Sequence, residues 1–135
     1  MPVVVEFLQS ATYQDQSDLQ KIYRDAPAWL IRPFADALQL VEHALSEDAL
    51  IAARVNDRLL GAAYLQRQGE SWELSHLCVR ALTRRRGVAE QMVLEAQKLA
   101  ARNGAGLRLM TAVEPPEVQA LASKLQIPLL LRPQQ

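Results

Sequence analysis

The sequence has little of what marks a secreted, membrane-spanning or nucleic-acid-binding protein. It contains one cysteine, Cys78, so no disulfide can form within the chain and a disulfide-stabilised scaffold is excluded. Basic and acidic residues balance at 15 each, so the broad positive excess that suits nucleic acid or a membrane surface is absent. No apolar run approaches the roughly 20 residues that span a bilayer, and the N-terminus lacks signal-peptide features. These absences predict a cytoplasmic protein that binds neither nucleic acid nor a membrane.

The composition that remains is that of one ordered domain. The chain has 135 residues, of which 50% are hydrophobic and 22% charged, and no linker or repeat divides it, so we expect a single domain over 1–135. After a first strand at 3–8, the S-x-x-Q pattern at Ser17 predicts a helix start. Pro33 predicts the start of a second helix whose inward face carries Phe34, Leu38, Val41 and Leu45.

A three-stranded meander is predicted next. Residues 50–55 and 58–65 have strand composition and are separated by Asn56-Asp57, which favours a tight hairpin turn with positive φ angles. The third strand covers 72–79. Strict alternation would place Trp72, Leu74, His76 and Cys78 on one face and Glu73, Ser75, Leu77 and Val79 on the other.

An arginine-rich turn then leads into an amphipathic helix. The helix is predicted over 88–102, and the first backbone N–H groups of such a helix attract anions, especially phosphate. Further on, a strand at 106–111 should pair in parallel with the third meander strand, followed by a helix from Pro115-Pro116 and a closing strand at 127–131. This order predicts an α/β domain with a mixed twisted sheet flanked by about four helices.

The order of elements resembles the GNAT N-acetyltransferase superfamily. The resemblance covers almost the whole chain, and its specific part is the Q/R-x-x-G-x-G/A signature at the arginine turn. In this sequence the signature reads Arg84, Arg85, Arg86, Gly87, Val88 and Ala89. Its position after a meander strand and at a helix start makes a loose pattern much more specific.

The resemblance implies a binding site for acetyl-CoA. The pyrophosphate would lie on the amides of the signature, with charge from Arg84, Arg85 and Arg86. The pantetheine arm would pair with the backbone of Leu77 and Val79 in the manner of an added strand. The thioester would then lie where the third meander strand separates from the strand at 106–111.

Segments 17–22, 52–60, 77–80 and 83–88 are similar to the PanZ (PanM) family in particular. Members of that family resemble acetyltransferases but act as acetyl-CoA sensors that promote self-cleavage of the aspartate 1-decarboxylase precursor in pantothenate biosynthesis. The resemblance implies that precursor as a partner, contacted through Arg54 and Asn56. Segment 27–46 and the C-terminal end depart from the family pattern.

Direct acetyl transfer to an amine would need a base and an acid. The candidate bases are Glu73 and His76, which alternation places on opposite faces. The superfamily commonly has a tyrosine acid in the last helix, where this chain has none. That favours a sensor over an enzyme, with an active N-acetyltransferase for a small-molecule or protein amine as the alternative.

No cluster of side chains has the spacing of metal ligands, and Cys78 is most simply a small buried residue.

Overall fold

The computed structural model describes residues 3–24, 26–80, 87–111 and 116–131. These residues form one six-stranded sheet with strands in the order of the chain. The strands are β1 Val4–Phe7, β2 Leu50–Val55, β3 Arg58–Gln68, β4 Ser71–Val79, β5 Gly106–Thr111 and β6 Leu129–Leu131. The helices are α1 Tyr13–Arg24, α2 Ala28–Ile31, α3 Ala37–Ser46, α4 Val88–Arg102 and α5 Pro116–Leu125. Strands β1 to β4 are antiparallel, whereas β4, β5 and β6 run parallel, which confirms the mixed sheet.

Helix α1 begins one turn before the predicted start. The Asp15 N–H donates to Thr12 Oγ1 at 3.0 Å, and the Thr12 N–H donates to Asp15 Oδ2 at 3.4 Å. This reciprocal pair is a capping box in which aspartate takes the place of glutamate. Ser17 is therefore inside the helix, and the predicted start at Ser17 was wrong because an equivalent motif occurs earlier.

Helix α3 begins at Ala37 rather than at Pro33. Asp36 caps it by accepting a hydrogen bond from the Gln39 N–H at 2.9 Å. The side chains that the helix buries are Leu40, Val41 and Ala44, whereas Leu38 is 51% exposed. The predicted inward face was therefore wrong at Leu38, because the later start and the packing against α1 rotate the buried stripe toward Leu40 and Ala44.

The hairpin and the second half of the chain follow the sequence prediction closely. Asn56 and Asp57 have φ angles of 49° and 68°, as a primed turn requires. Helix α4 spans 88–102 as predicted, and β5 pairs in parallel with β4. Strand β6 is shorter than predicted, covering only 129–131.

Helices cover both faces of the sheet. Helix α4 packs with Trp72, Leu74 and Leu109 on one face, and Ala122 of α5 and Ile127, two residues after that helix, belong to the same core. On the other face, α1 and α3 pack against Leu59 and Tyr64. Two buried layers therefore hold the central strands in place.

Candidate functional site

The candidate site lies where β4 and β5 part. Their parallel pairing joins Ser71 to Gly106 and continues only to Leu74 opposite Leu109. Beyond that point a cavity of about 680 Å³ is lined by both strands and by residues of α2, α4 and the connection to α3. A cavity of this size falls in the range of small-molecule sites. The separation of these strands was predicted, and it fixes the position of the cavity.

A β-bulge in β4 determines which side chains reach the cavity. Ala62 pairs with Cys78 whereas Tyr64 pairs with Ser75, so β4 contains one extra residue over this interval. His76 lies in the bulge with φ of 56°, in the left-handed region. The extra residue reverses the alternation of faces after Ser75.

The predicted faces of β4 were therefore correct from Trp72 to Ser75 and wrong from His76 onward. Trp72 and Leu74 pack in the α4 core, whereas Cys78 packs in the core on the α1 side. Directly paired residues share a face, so Glu73 and Ser75 lie on the same face as Gln66 and Tyr64. The His76 ring also packs against Tyr64. The two candidate bases consequently lie on one face and not on opposite faces.

His76 is held by hydrogen bonds at both ring nitrogens. Nδ1 lies 2.9 Å from Ser75 Oγ, and Nε2 lies 2.9 Å from the carbonyl oxygen of Arg32. Burial lowers the pKa of His76, and the hydrogen bond to the Arg32 carbonyl offsets only part of that effect. The imidazole is therefore neutral near pH 7 and available as a base.

Aromatic rings surround this histidine. The centroids of Phe34 and Tyr64 lie 5.5 Å and 6.0 Å from that of His76, and Phe34 also contacts His43 at 5.2 Å. The Tyr64 hydroxyl donates a hydrogen bond to Glu47, and burial is the largest cause of its raised pKa. This side of the cavity is thus lined largely by aromatic rings, and it carries the imidazoles of both His43 and His76.

Glu73, the other candidate base, is engaged elsewhere. Its carboxylate accepts a hydrogen bond from Arg108 Nη2 at 2.5 Å, and its side chain is 12% exposed. Glu73 is also outside the set of residues that line the cavity. Its position suits an ion pair that links β4 to β5, and the geometry favours His76 for contact with a substrate.

The cofactor half of the predicted site is partly described. Leu77, Val79 and Ala89 line the cavity, and Val88 is buried in the first turn of α4. Gly87 precedes that turn with φ of 71°, and its carbonyl accepts from the Gln91 N–H at 3.0 Å. Arg84, Arg85 and Arg86 lie outside the described residues. The first turn of α4 and the end of β4 therefore border the same cavity, and the binding of a cofactor there stays a prediction.

The predicted partner residues lie at the β2–β3 hairpin, and they differ in their contacts. The Arg54 guanidinium donates to Glu6 at 3.2 Å, to Asp15 at 3.1 Å and 3.3 Å, and to the Asp57 carbonyl at 3.2 Å. Arg54 therefore braces the turn from within the protein. Asn56 is exposed at the tip, so its side chain is the better placed of the two to contact a partner.

Sequence reasoning missed Ser75, Phe34 and Tyr64 as site residues. A signal for the bulge was present, because apolar residues occupy even positions at Trp72 and Leu74 and odd positions at Leu77 and Val79. Such a change of parity within one strand indicates an inserted residue. Nothing comparable in the sequence places Phe34 against His76.

In the described part of the chain, none of the helices has the length and apolar character needed to cross a bilayer. The same residues contain no group of three or more side chains arranged to hold a metal ion.

Known proteins resemble this chain in both sequence and fold. PanD regulatory factors from Salmonella typhimurium and Escherichia coli are 36% and 33% identical to it over 95 and 96 residues. Each match covers 70% of this chain but only 66% of the relative, so the chain matches slightly less than two thirds of their length. A PaiA N-acetyltransferase from Thermoplasma acidophilum, solved with coenzyme A, superimposes with a TM-score of 0.69 at 17% identity, covering 93% of this chain and 89% of that one.

The structural likeness establishes the fold as that of the GNAT acetyltransferases. A family model described as acetyltransferase (GNAT) domain, PanZ, matches residues 2–122, which include the hairpin, β4, the signature at 84–89 and α4. This chain belongs to the PanZ family of GNAT domains.

Proposed function

We propose that this protein binds acetyl-CoA and regulates the maturation of PanD, the aspartate 1-decarboxylase of β-alanine and pantothenate supply. The observation that carries the proposal is the PanZ family match over 2–122. The relatives named PanD regulatory factor support the same assignment. The chain would act as a sensor whose affinity for the decarboxylase precursor depends on the cofactor.

The separation of β4 from β5 supports the cofactor part of the proposal. The edge of β4 beyond Leu74 borders the cavity, so an extended pantetheine arm would add to it as a strand beside Leu77 and Val79. The left-handed Gly87 would direct the first amides of α4 toward the pyrophosphate. Bound in this way, the cofactor supplies an activated acetyl thioester close to His76.

The hairpin supports the partner part. Its turn projects Asn56 from the end of β2 and β3, and the ion pairs of Arg54 fix the turn against β1 and α1. A rigid exposed turn loses little conformational entropy on binding, which favours recognition. Arg54 would therefore position the surface, and Asn56 would contact the decarboxylase precursor.

The decisive experiment mixes the protein with the aspartate decarboxylase precursor of its source organism, with and without acetyl-CoA. We expect a complex by size-exclusion chromatography and faster precursor cleavage, both dependent on acetyl-CoA. Gly87→Glu should abolish the effect of acetyl-CoA by repelling the pyrophosphate, and Gly87→Asn, which tolerates positive φ, is its control. If the wild-type protein forms no complex and leaves cleavage unchanged, the regulatory function is wrong.

The partner surface is tested separately with Asn56→Gly. Glycine keeps the positive φ of 49° and removes only the amide, so cofactor binding should persist while the complex weakens by at least tenfold. Asp57→Gly alters the neighbouring turn residue, with φ of 68°, and serves as the matched control. Equal losses of cofactor and partner binding in Asn56→Gly would contradict two separate surfaces.

A second candidate function is acetyl transfer to an amine. It is favoured by the neutral His76 imidazole, which lines the cavity and could accept the proton of an amine. Release of free CoA that requires an added amine and yields the acetylated amine, and its loss in His76→Asn, would identify this activity.

A further inference from the structure

Ser75 and His76 form a hydrogen-bonded pair with a defined direction. The Arg32 carbonyl can only accept, so His76 Nε2, which lies 2.9 Å away, must carry the proton. In the neutral ring, Nδ1 then has a lone pair and lies 2.9 Å from Ser75 Oγ. The Ser75 hydroxyl therefore donates to His76. This is the arrangement of a nucleophile, its base and a group that orients the base.

The surrounding structure fixes the pair in place. The Tyr23 hydroxyl donates to the His76 carbonyl at 2.8 Å, which anchors the backbone of the bulge from α1. Burial raises the pKa of Tyr23 well above its ordinary value, so this donor keeps its proton. The rings of Phe34 and Tyr64 contact the imidazole and limit its rotation. The base is therefore preorganised without a carboxylate.

Ser75 and His76 also face the cavity in which the pantetheine arm would lie. Ser75 and His76 line the same cavity as Leu77 and Val79, the positions at which β4 would pair with a pantetheine arm. Ser75 precedes Leu77 by two residues, at most about 7 Å along a strand. An acyl thioester that follows the edge of β4 would carry its carbonyl within reach of the Ser75 hydroxyl.

We propose that Ser75 is a nucleophile, activated by His76, that accepts the acyl group of a thioester and passes it to water. This inference rests on the proposed binding of acetyl-CoA. It adds a covalent acyl-serine step, and so a thioesterase activity, to a chain that the proposed function treats as a sensor. Slow hydrolysis would limit the lifetime of the bound acetyl signal.

Hydrolysis of the thioester through Ser75 needs no reactant other than water. Ser75 Oγ attacks the thioester carbonyl carbon while its proton passes to His76 Nδ1, and the C–S bond breaks. The departing sulfur takes that proton, which leaves free thiol and an ester on Ser75. Water then gives a proton to Nδ1 and attacks the ester, and Ser75 recovers the proton as the carboxylic acid departs. The imidazolium supplies the acid for the sulfur, so the missing tyrosine of α5 is not needed.

The first test uses probes that need no CoA site. Wild-type protein is treated with a small fluorophosphonate and, separately, with 4-nitrophenyl acetate, and the labelled peptide is mapped by mass spectrometry. We expect the label on Ser75. His76→Asn, which tolerates the left-handed φ, should slow labelling by about 10²-fold or more. Ser71→Ala, which removes an exposed serine at the start of the same strand, should label normally.

The second test incubates the protein with acetyl-CoA, follows free CoA, and maps the acetylated residue. An acetyl group on Ser75 and CoA release that is lost in Ser75→Ala support the proposal. The melting temperature with acetyl-CoA is measured in parallel. If acetyl-CoA does not raise it, the cofactor does not bind, and the proposed function itself fails. If acetyl-CoA stabilises the protein but neither the probes nor acetyl-CoA modify Ser75, the nucleophile is refuted while the sensor function stands.

Discussion

At the scale of single residues, Gly61 allows α4 to lie close to the sheet. A Cβ added at this position would lie 2.8 Å from Met92 Sδ and 3.3 Å from a methyl carbon of both Val79 and Val88. Met92 and Val88 are almost fully buried, so neither can move aside without disturbing the core. Because Val88 is in the first turn of α4, this contact also sets the position of the helix N-terminus beside β4.

We predict that Gly61→Ala destabilises the fold by about 1–3 kcal/mol through overpacking. Urea unfolding measures the change, and Gly106→Ala is the matched control because its added Cβ would meet no atom within 4 Å. Gly61→Ala should also weaken acetyl-CoA binding, since it displaces the start of α4. Equal stabilities for the two variants would contradict the close approach.

At the scale of secondary-structure elements, ion pairs made by two buried aspartates attach α1 to the β2–β3 hairpin. Asp18 is almost fully buried, and it accepts from Arg58 Nη2 at 2.6 Å and from the Leu59 N–H at 3.1 Å. Asp15 pairs with Arg54 in the same way. Burial alone would raise the pKa of Asp18, but the bonds from Arg58, Leu59 and Gln14 outweigh it and lower the pKa. The helix and the proposed partner surface are therefore one unit.

We predict that Asp18→Ala costs about 2–3 kcal/mol at pH 7, because it leaves the buried Leu59 N–H without its acceptor. The lowered pKa means that ionised Asp18 stabilises the fold fully above its unfolded value of about 3.9. That contribution falls as the pH drops below this value, so the difference between variant and wild type should shrink toward pH 3. Chemical unfolding across pH measures it. The exposed Glu42→Ala control on α3 should change little, and a pH-independent difference would contradict the ionic contribution.

At the scale of the whole molecule, β4 and β5 are paired at one end of the sheet and separated at the other. Parallel pairing and two helix layers hold β4 and β5 together near Ser71 and Gly106, whereas the cavity separates them toward Val79 and Thr111. A ligand that fills the cavity would contact both halves of the sheet. Its binding energy would therefore be added to the stability of the entire domain.

We predict that acetyl-CoA at a hundredfold excess over its Kd raises the free energy of unfolding by about 2.7 kcal/mol. The melting temperature should rise with the logarithm of ligand concentration, as measured by calorimetry. Gly87→Glu should abolish the rise, whereas Gly87→Asn should retain it. An unchanged melting temperature at saturating acetyl-CoA would contradict the cofactor site.

The sequence by itself determined the fold class, the order of elements and the family. Local signals were sufficient for these, because the Asn56-Asp57 turn, the 88–102 periodicity and the signature ending in Gly87, Val88 and Ala89 depend on neighbours in the chain. Where a local signal had a competitor nearby, as with the Thr12 cap before Ser17, the boundary moved by about one turn.

Only the tertiary structure decided the chemistry of the site. The change of parity along β4 signals an extra residue, but only the pairing with β3 places that residue at His76 and brings Ser75 and His76 to one face. The hydrogen bond from His76 Nε2 to the Arg32 carbonyl and the packing of Phe34 join residues more than 40 positions apart. Such contacts are set by how whole elements pack, so no pattern within a strand or helix could have given the direction of the Ser75 hydroxyl.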